Sequence, residues 1–265
     1  MTTSSGPNRP DLSLIVPTLN ERDHLDQLLE RVFSAVDRHR INAEVIVVDD
    51  NSDDGTGERA EQWAAGGRVR VLHRKGKLGL GSAVMDGFAV AESDVVGVMD
   101  ADLSHPPDLL PLLYTTLVGG NLDVVVASRY IEGAGTRQWP IGRLVLSRIA
   151  CWLARPVTPV RDATSGFFLV QRRSLSGFRT AVSGFKIGLE VLVRARPRRV
   201  AEVGYVFVGR SSGESKMSLR EACGYLSQLV ALYLVVMSQA VERPGHHVVP
   251  HVEASAASVA RSAHI

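Results

Sequence analysis

The sequence predicts an α/β protein built on a mainly parallel sheet. Short apolar segments rich in Val and Ile alternate with segments of helical spacing through the first half of the chain. Apolar strands that alternate with helices are typical of parallel sheets, whose strands are buried on both faces. Polar side chains follow these strands directly, and ligands of such sheets bind beyond the carboxyl ends of the strands. The pattern therefore predicts a fold class and also the edge at which a site would lie.

The first half of the chain contains five predicted strands. They are Leu12–Val16, Val45–Val48, Val69–His73, Val95–Met99 and Asp123–Ser128. Apolar residues recur at helical spacing from Glu21 to about Arg40, which predicts the first helix. Further helices are predicted from Thr56 to about Ala65, over Gly79–Ala91, and over Pro107–Leu117, where an early proline is tolerated because the first helical N–H groups have no partner.

The second half is less regular. Its predicted helices are Ile141–Leu153, Leu189–Ala195 and Leu219–Val241, and its predicted strands are Phe167–Val170 and Val203–Val208. We expect the last helix to be a C-terminal amphipathic helix with an apolar second half. Polar composition predicts disorder at residues 1–10 and 242–265. A single domain is expected over residues 11–241, with 11–128 and 129–241 as two functional halves.

Composition excludes several classes and reveals a charge split. With 45% hydrophobic and 22% charged residues among 265, the chain is neither collagen-like, coiled coil nor wholly disordered. Residues 1–128 hold 11 Lys and Arg against 20 Asp and Glu, a net −9, whereas residues 129–265 hold 19 against 8, a net +11. Such asymmetry indicates different partners for the halves, or compositional drift, since 26 of the 30 basic residues are Arg.

Other familiar patterns are missing from the sequence. Cys151 and Cys223 have no zinc-ligand spacing, residues 1–10 have no signal-peptide core, and no apolar run reaches the roughly 18 residues of a spanning helix. There is no nucleophile elbow, dinucleotide fingerprint or Walker motif. The arginine-rich segment 194–199 lacks interleaved aromatic residues, so nucleic acid is not an expected partner.

Two acidic clusters follow predicted strands. Asp100 and Asp102 come directly after the fourth strand, and paired oxygen ligands of this kind suit Mg²⁺ or Mn²⁺ shared with substrate phosphates. An Asp-rich turn that caps the next helix is the alternative. Asp49–Asp53 ends the second strand, where carboxylates can accept hydrogen bonds from ribose or a base edge, or can form an ordinary Asx turn.

Glycine and basic residues add candidates for phosphate contact. The loop Lys77–Gly81 contains two glycines at a helix start, so its backbone could approach a nucleotide closely, or it could simply be a flexible helix entry. Arg129 follows the fifth strand, and Arg210 and Lys216 flank Gly213 in a polar loop. Cations on such loops suit phosphate capture.

Seven short segments occur in a characteristic order. They are Ile15–Arg22, Ile46–Gly57, Lys77–Ala83, Met99–Pro107, Ala127–Tyr130, Asp162–Phe167 and Gly213–Lys216. Together they resemble the family-two glycosyltransferases, and more closely the dolichol-phosphate (polyprenol-phosphate) mannosyltransferases. The resemblance implies a Rossmann-like nucleotide-sugar-binding sheet of the GT-A type, a GDP-mannose donor, a dolichyl or polyprenyl phosphate acceptor, and metal-dependent transfer with inversion.

The resemblance also implies a set of site residues. Contacts to the nucleotide sugar are expected from Pro17, Leu19, Glu21, Val48, Asp50, Asp100, Ala101, Asp102, Arg129, Arg210 and Lys216. Asp100 and Asp102 would be the catalytic and metal-binding pair, with Mg²⁺ or Mn²⁺ as the cofactor. Arg129, Arg210 and Lys216 would hold phosphates of the donor or the acceptor.

The implied chemistry is coherent, and it leaves rivals open. The acceptor is already an anion, so no strong general base is needed, and stabilising the leaving diphosphate is the main demand. A peripheral protein at the cytoplasmic face of a membrane is expected, held by the membrane surface or by a membrane-bound partner subunit. The rivals are transfer from UDP-glucose or another nucleotide sugar, transfer to a soluble acceptor, and a catalytically silent nucleotide-sugar-binding module.

Overall fold

The structure, a computed structural model, describes residues 9–137, 139–176, 178, 186–208, 219–238 and 245–249. Its strands are β1 (Leu12–Thr18), β2 (Ala43–Asp49), β3 (Val69–His73), β4 (Val95–Val98), β5 (Val124–Ser128), β6 (Gly135–Arg137), β7 (Phe168–Gln171), β8 (Arg199–Gly204), β9 (Val206–Val208) and β10 (Gly245–Val249). Its helices are α1 (Arg22–Arg38), α2 (Thr56–Ala64), α3 (Leu80–Val90), α4 (Leu110–Gly119), α5 (Ile141–Ala154), α6 (Ile187–Arg194) and α7 (Leu219–Met237). Short 3₁₀ turns cover Pro107–Leu109 and Arg172–Leu175.

Eight strands form one mixed sheet in the order β10-β8-β5-β7-β4-β1-β2-β3. All of them run parallel except β7, which pairs antiparallel with both β4 and β5. The mainly parallel sheet predicted from the sequence is therefore confirmed. Because β7 is reversed, its first residues lie at the edge where the neighbouring parallel strands end.

Helices cover both faces of the sheet, and the strand sequences explain why. Along β1, Leu14 and Val16 join the core beneath α1, whereas Ile15 joins the core on the opposite face. All three are fully buried, which stabilises the fold by about 1.5–3 kcal/mol for each side chain. On the second face α3 approaches closely, since a Cβ at Gly87 would lie 2.6 Å from Cγ2 of Ile15.

The predicted strand Val203–Val208 is wrong in one respect, because the structure divides it between two sheets. Its first part belongs to β8 in the main sheet, and its last part is β9, which pairs with β6. Tyr205 marks the division. Its N–H donates to the Ser128 carbonyl at 3.0 Å, and its own carbonyl accepts from the Gly135 N–H at 3.1 Å.

The end of the chain also differs from expectation. Residues 242–265 were expected to be a disordered tail, but Gly245–Val249 forms β10 at the edge of the main sheet, in parallel register with β8. In this strand His246 Nε2 lies 2.9 Å from a carboxylate oxygen of the buried Glu202. The other residues of the predicted tail lie outside the described part of the chain.

Helices α5 and α7 pack together, and both expose apolar side chains. Tyr225 and Tyr233 of α7 donate hydrogen bonds to the α5 carbonyls of Ala150 (2.7 Å) and Leu153 (2.6 Å). The exposed apolar residues are Ile141, Val145, Leu146, Ile149 and Trp152 on α5, and Leu226, Val230, Leu234 and Met237 on α7. The amphipathic character predicted for α7 stays a prediction. No helix among the described residues is long and apolar enough to cross a bilayer.

Candidate active site

The loops that follow β1 and β2 lock together at the carboxyl edge of the sheet. The N–H of Asn20 donates to Ser52 Oγ at 2.9 Å, and the Asn20 side-chain oxygen accepts from the Asp53 N–H at 3.1 Å. One step further along, the Glu21 N–H donates to Thr56 Oγ1 at 2.9 Å. These bonds fix the two loops as one rigid wall.

The structure brings the first group of predicted site residues to this wall, in different environments. Leu19 is 43% exposed, whereas Val48 is fully buried in the core, so only its backbone can face a ligand. Pro17 is buried within β1. A carboxylate oxygen of Glu21 lies 3.0 Å from Nδ1 of His24.

Asp50 organises the next loop through its carboxylate. Its oxygens accept hydrogen bonds from the backbone N–H groups of Leu78 (2.9 Å) and Gly79 (2.8 Å), and from Arg74 Nη1 at 2.5 Å. Arg74 also donates to Asp86 and Ser82. The glycine-containing loop thus bends back towards β2 because a buried carboxylate holds its amides.

The Asp100–Asp102 segment makes a strained turn after β4. Leu103 has a φ of 58°, a left-handed conformation that costs a residue with a Cβ roughly 1–2 kcal/mol. In that turn Asp102 Oδ1 accepts hydrogen bonds from the backbone N–H of Ser104 (3.0 Å) and from Ser104 Oγ (2.5 Å). Asp102 is 7% exposed, so its carboxylate is held in one orientation.

Asp100 is packed between a glycine and a histidine. A Cβ at Gly166 would lie 2.9 Å from Asp100 Oδ2, so a larger residue there would displace this carboxylate. His105 Nε2 lies 3.1 Å from Asp100 Oδ2, and its Nδ1 lies 2.9 Å from the Tyr205 hydroxyl. The neutral tautomer with its proton on Nε2 satisfies both contacts.

The oxygen donors here fit a divalent cation that keeps much of its coordination for other ligands. Among the described residues there is no group of three or more His, Cys, Asp or Glu side chains able to hold a metal. Asp100 and Asp102 therefore offer two carboxylates at most, and Ala101 between them is buried. Mg²⁺ and Mn²⁺ accept such partial sets, because water and substrate phosphates complete their coordination.

Arg129 lies at the end of β5 in a buried ion pair. It donates to both oxygens of Asp162, from Nε at 2.7 Å and from Nη2 at 2.6 Å, and to Thr164 Oγ1 at 2.9 Å. Burial works against both charges, but the pairing outweighs it. The pKa of Arg129 is therefore raised and that of Asp162 lowered from their ordinary values.

Aromatic rings surround the Arg129 guanidinium. Its central carbon lies 5.2–5.6 Å from the ring centroids of Tyr130, Trp139 and Phe207. The guanidinium carbon of Arg143, on α5, lies 4.2 Å from the centroid of the Trp139 ring. The buried indole N–H of Trp139 has no acceptor among the described residues. Two cations and a donor therefore converge beside the site.

Lys186 was not among the residues predicted from the sequence. Burial lowers its pKa, and so does the charge of Arg129, while Asp100 and Asp162 act in the opposite direction. Its charge therefore interacts with those of the acidic turn and of the buried ion pair. It directly precedes the apolar start of α6, which is a weak sequence signal.

Two predicted residues cannot be placed. Arg210 and Lys216 lie outside the described residues, as does the polar loop between them. The structure does bring Asp50, Asp100, Asp102 and Arg129 to one edge of the sheet. It adds Asp162, His105 and Tyr205, which sequence reasoning had not assigned to the site.

Comparison with known proteins gives consistent similarities. A sequence profile described as "Glycosyl transferase family 2" matches residues 13–180. A dolichol-phosphate mannosyltransferase of Pyrococcus furiosus is 37% identical over 83% of this chain, which spans 63% of that protein's length. Proteins of the same name from Saccharomyces cerevisiae and Mycosarcoma maydis are 38% and 39% identical over 84% of this chain, covering 87% and 79% of their lengths.

Solved structures agree on the fold. A glucosyl-3-phosphoglycerate synthase from Mycobacterium tuberculosis aligns with a TM-score of 0.58 at 22% identity, over 88% of this chain and 81% of the other. A mannosyltransferase from Pyrobaculum calidifontis, solved with GDP-Man and Mn²⁺, has a TM-score of 0.58 at 19% identity, over 85% and 65%. These matches confirm a GT-A type of sheet.

Proposed function

The chain belongs to glycosyl transferase family 2, and from this premise we propose that it transfers mannose from GDP-mannose to dolichyl or polyprenyl phosphate. One observation carries the proposal. It is the 37–39% identity, over 83–84% of this chain, to three proteins named dolichol-phosphate mannosyltransferase. The arrangement of the site residues supports it.

The donor's guanosine would lie against the wall formed by the loops after β1 and β2. Pro17, Leu19 and Glu21 would contact it from one loop, and Val48 and Asp50 from the other. The cross-loop hydrogen bonds support this role, because they hold the wall in one shape before any ligand binds. Preorganisation of this kind lowers the entropy cost of binding.

Asp102 would be the main metal ligand, with Asp100 assisting and the Ala101 backbone beside the diphosphate. A bound Mg²⁺ or Mn²⁺ would supply charge stabilisation for the leaving diphosphate. The hydrogen bonds from Ser104 keep the Asp102 carboxylate oriented. Gly166 leaves room for the Asp100 carboxylate, which a larger residue at that position would displace.

Cations on the opposite side of the site would bind the phosphates. Arg129 and Lys186 would be two of these cations, and Arg210 and Lys216 would join them from the polar loop. The acceptor phosphate would meet Arg143, whose guanidinium carbon lies 4.2 Å from the centroid of the Trp139 ring. An oxygen of that phosphate forms the new bond to the anomeric carbon, while the bond from that carbon to the β-phosphate oxygen of GDP-mannose breaks.

This displacement inverts the anomeric configuration and needs no strong general base, since the attacking phosphate is already ionised. It differs from glycoside hydrolysis, in which two carboxylates act on a neutral leaving group and water. The tight pairing of Asp162 with Arg129 supports this assignment, because that carboxylate is committed to an ion pair.

The acceptor's chain implies work at a bilayer, peripherally and at the cytoplasmic face. The exposed apolar residues of α5 and α7 support this arrangement, since such surfaces mark membrane or protein contacts. A membrane-bound partner subunit would occupy the same surface if the bilayer does not.

A donor screen tests the proposal. The chain is incubated with polyprenyl phosphate, Mg²⁺ or Mn²⁺, and radiolabelled GDP-mannose, UDP-glucose or UDP-GlcNAc, and label entering the organic phase is counted. We expect transfer from GDP-mannose only. Asp102→Asn should lower it at least a hundredfold, as loss of a transition-state contact does.

Asp94→Asn is the matched control, because Asp94 precedes β4 at the opposite edge and only pairs with arginines at the surface. If label is transferred only from UDP-glucose, GDP-mannose is the wrong donor and UDP-glucose takes its place in the proposal. Nucleotide binding without transfer from any donor would instead indicate a silent binding module.

A further inference from the structure

A cavity of about 290 Å³ lies beside the buried ion pair, on the side of α5. Its lining includes Arg148, Arg155 and Arg161, together with Tyr130 and Trp152. This volume is at the lower end of the roughly 300–1,000 Å³ that small-molecule sites occupy. Besides the ion-paired Arg129, which also lines it, three guanidinium groups therefore border one concavity that is close to ligand size.

These three arginines lack counter-ions in the described part of the chain. No carboxylate there lies within 4.0 Å of their guanidinium nitrogens. Six arginines of the first half are different. Arg9, Arg31, Arg38, Arg59, Arg68 and Arg70 each lie 2.7–3.0 Å from a carboxylate oxygen. The cavity thus concentrates positive charge for which the described residues provide no counter-ion.

Sequence composition around the cavity reinforces the charge. Residues 129–161 contain six arginines and a single acidic residue, Glu132. Arg148 also lies 5.9 Å from the Tyr130 ring, whose hydroxyl donates to Ser147 Oγ at 2.7 Å. A phosphate group matches this setting, because guanidinium groups bind phosphate with paired hydrogen bonds.

The cavity adjoins the exposed apolar face of α5. Val145, Ile149 and Trp152 follow one another at helical spacing along that face, and Trp152, 71% exposed, also lines the cavity. Arg148, Trp152 and Arg155 share the spacing of one helix face, so arginines flank the apolar row directly. Apolar residues beside cations are the arrangement of a surface that enters the interface of an anionic bilayer.

We propose that this cavity binds the phosphate headgroup of an anionic phospholipid, through Arg148, Arg155 and Arg161, while the apolar row of α5 enters the bilayer beside it. The site adjoins the residues assigned to the mannosyl donor and acceptor, since Arg129 also lines the cavity, but Arg148, Arg155 and Arg161 are not among those residues. This proposal rests on the proposed function in one respect, namely that the acceptor would be found in a membrane. Free phosphate has the same recognition chemistry, and the test separates the two sources.

The test measures binding of the full chain to phosphatidylcholine vesicles with and without phosphatidic acid. Arg155→Gln/Arg161→Gln should weaken binding to the acidic vesicles about thirtyfold, since each basic residue at such a surface contributes roughly fivefold. Binding to phosphatidylcholine alone should stay unchanged. Both arginines are exposed and outside strands, so the variant should fold normally.

Arg40→Gln/Arg196→Gln is the matched control. These two arginines are also exposed, lie outside helices and strands at the opposite edge of the sheet, and have no carboxylate partner among the described residues. Their loss should change binding less than twofold. Equal losses in both double variants, or no loss in the first, would overturn the site.

Titration with inorganic phosphate in the absence of vesicles separates the two sources. We expect no saturable binding, and saturable binding lost in Arg155→Gln/Arg161→Gln would make free phosphate the occupant and overturn the lipid assignment. Transfer to a short-chain polyprenyl phosphate in detergent should be unchanged in that variant. Failure of the proposed transfer reaction would appear there as absent activity in every variant, while vesicle binding could still be scored.

Discussion

The two halves of the molecule each bury one Asp–Arg pair, with the charges exchanged. In the first half the strand end carries the carboxylate, Asp50, and Arg74 comes to it from a loop. In the second half the strand end carries the guanidinium, Arg129, and Asp162 comes from the loop before β7. The charge split in the sequence therefore also appears at the edge of the sheet. There the end of the strand carries a negative side chain in the first half and a positive one in the second.

The surroundings of the two pairs differ as well. Arg74 has further partners in Asp86 and Ser82, and Asp50 holds two backbone amides. Arg129 is enclosed by aromatic rings, and Asp162 is fully buried. The first pair shapes a loop, whereas the second holds a cation in place. Each difference gives a prediction.

The largest expected effect is on stability. Asp162→Ala should lower the free energy of unfolding by about 3–5 kcal/mol, because it leaves a buried guanidinium without its counter-ion. Asp50→Ala should cost about 1–3 kcal/mol, since Arg74 keeps other acceptors. Urea denaturation measures both. The double change Arg129→Met/Asp162→Leu should recover most of the loss, and equal costs for the two single variants would remove the distinction.

The next effect is on transfer. Arg129→Lys keeps the charge but loses the planar fork and its stacking, so we expect activity to fall about a hundredfold. Arg74→Lys should affect transfer much less while lowering stability. Initial rates with GDP-mannose, compared with melting temperatures, would separate the two. Full activity in Arg129→Lys would mean that charge alone suffices at that position.

The loss of stability in acid should depend on salt differently for the ion pairs of the two halves. Arg129 holds the pKa of Asp162 below the usual 3.8 despite burial, and Arg59 and Arg68 do the same for Asp26 and Asp37 at the surface. Their stabilisation is complete above pH 3.8 and is lost as the pH falls through the lowered folded values.

Thermal unfolding from neutral pH to about pH 2 measures this loss. High salt should remove much of the surface contribution but little of the buried one. A decline in stability that begins well above pH 4, or one that salt abolishes completely, would contradict the assignment to Asp162.

The smallest effect concerns thiol reactivity. Burial raises the pKa of Cys151 to about 11, and its Sγ lies 3.4 Å from Thr164 Oγ1 within the Arg129 cluster. Cys223 is exposed. Maleimide should therefore label Cys223 alone at neutral pH, and Cys223→Ser should be nearly inert. Rapid labelling of Cys223→Ser would show that the cluster opens readily.

Much of the fold was predictable because its strands and helices have clear apolar periodicity. Strand direction was not. Nothing in the residues of β7 indicates that it runs antiparallel, since that depends on how the chain reaches the sheet. The division at Tyr205 was likewise hidden, because a continuous apolar run carries no sign of two different partners.

The site was predicted where residues follow strands directly, as at Asp50, Asp102 and Arg129. It was missed where function depends on distant pairing. Asp162 lies 33 positions from Arg129 and was noted only as part of a resembling segment. His105 was not among the predicted site residues, yet it connects Asp100 with Tyr205. Such contacts exist only after the chain folds.

The enclosure of Arg129 has a further consequence for rate and affinity. A free arginine side chain gives up roughly 2 kcal/mol of rotamer entropy when it is fixed. Here Asp162, Thr164 and the rings fix it during folding. If Arg129 binds a phosphate as proposed, that anion would meet a cation with little freedom left to lose, and the interaction would reach its full strength without a slow search of side-chain conformations.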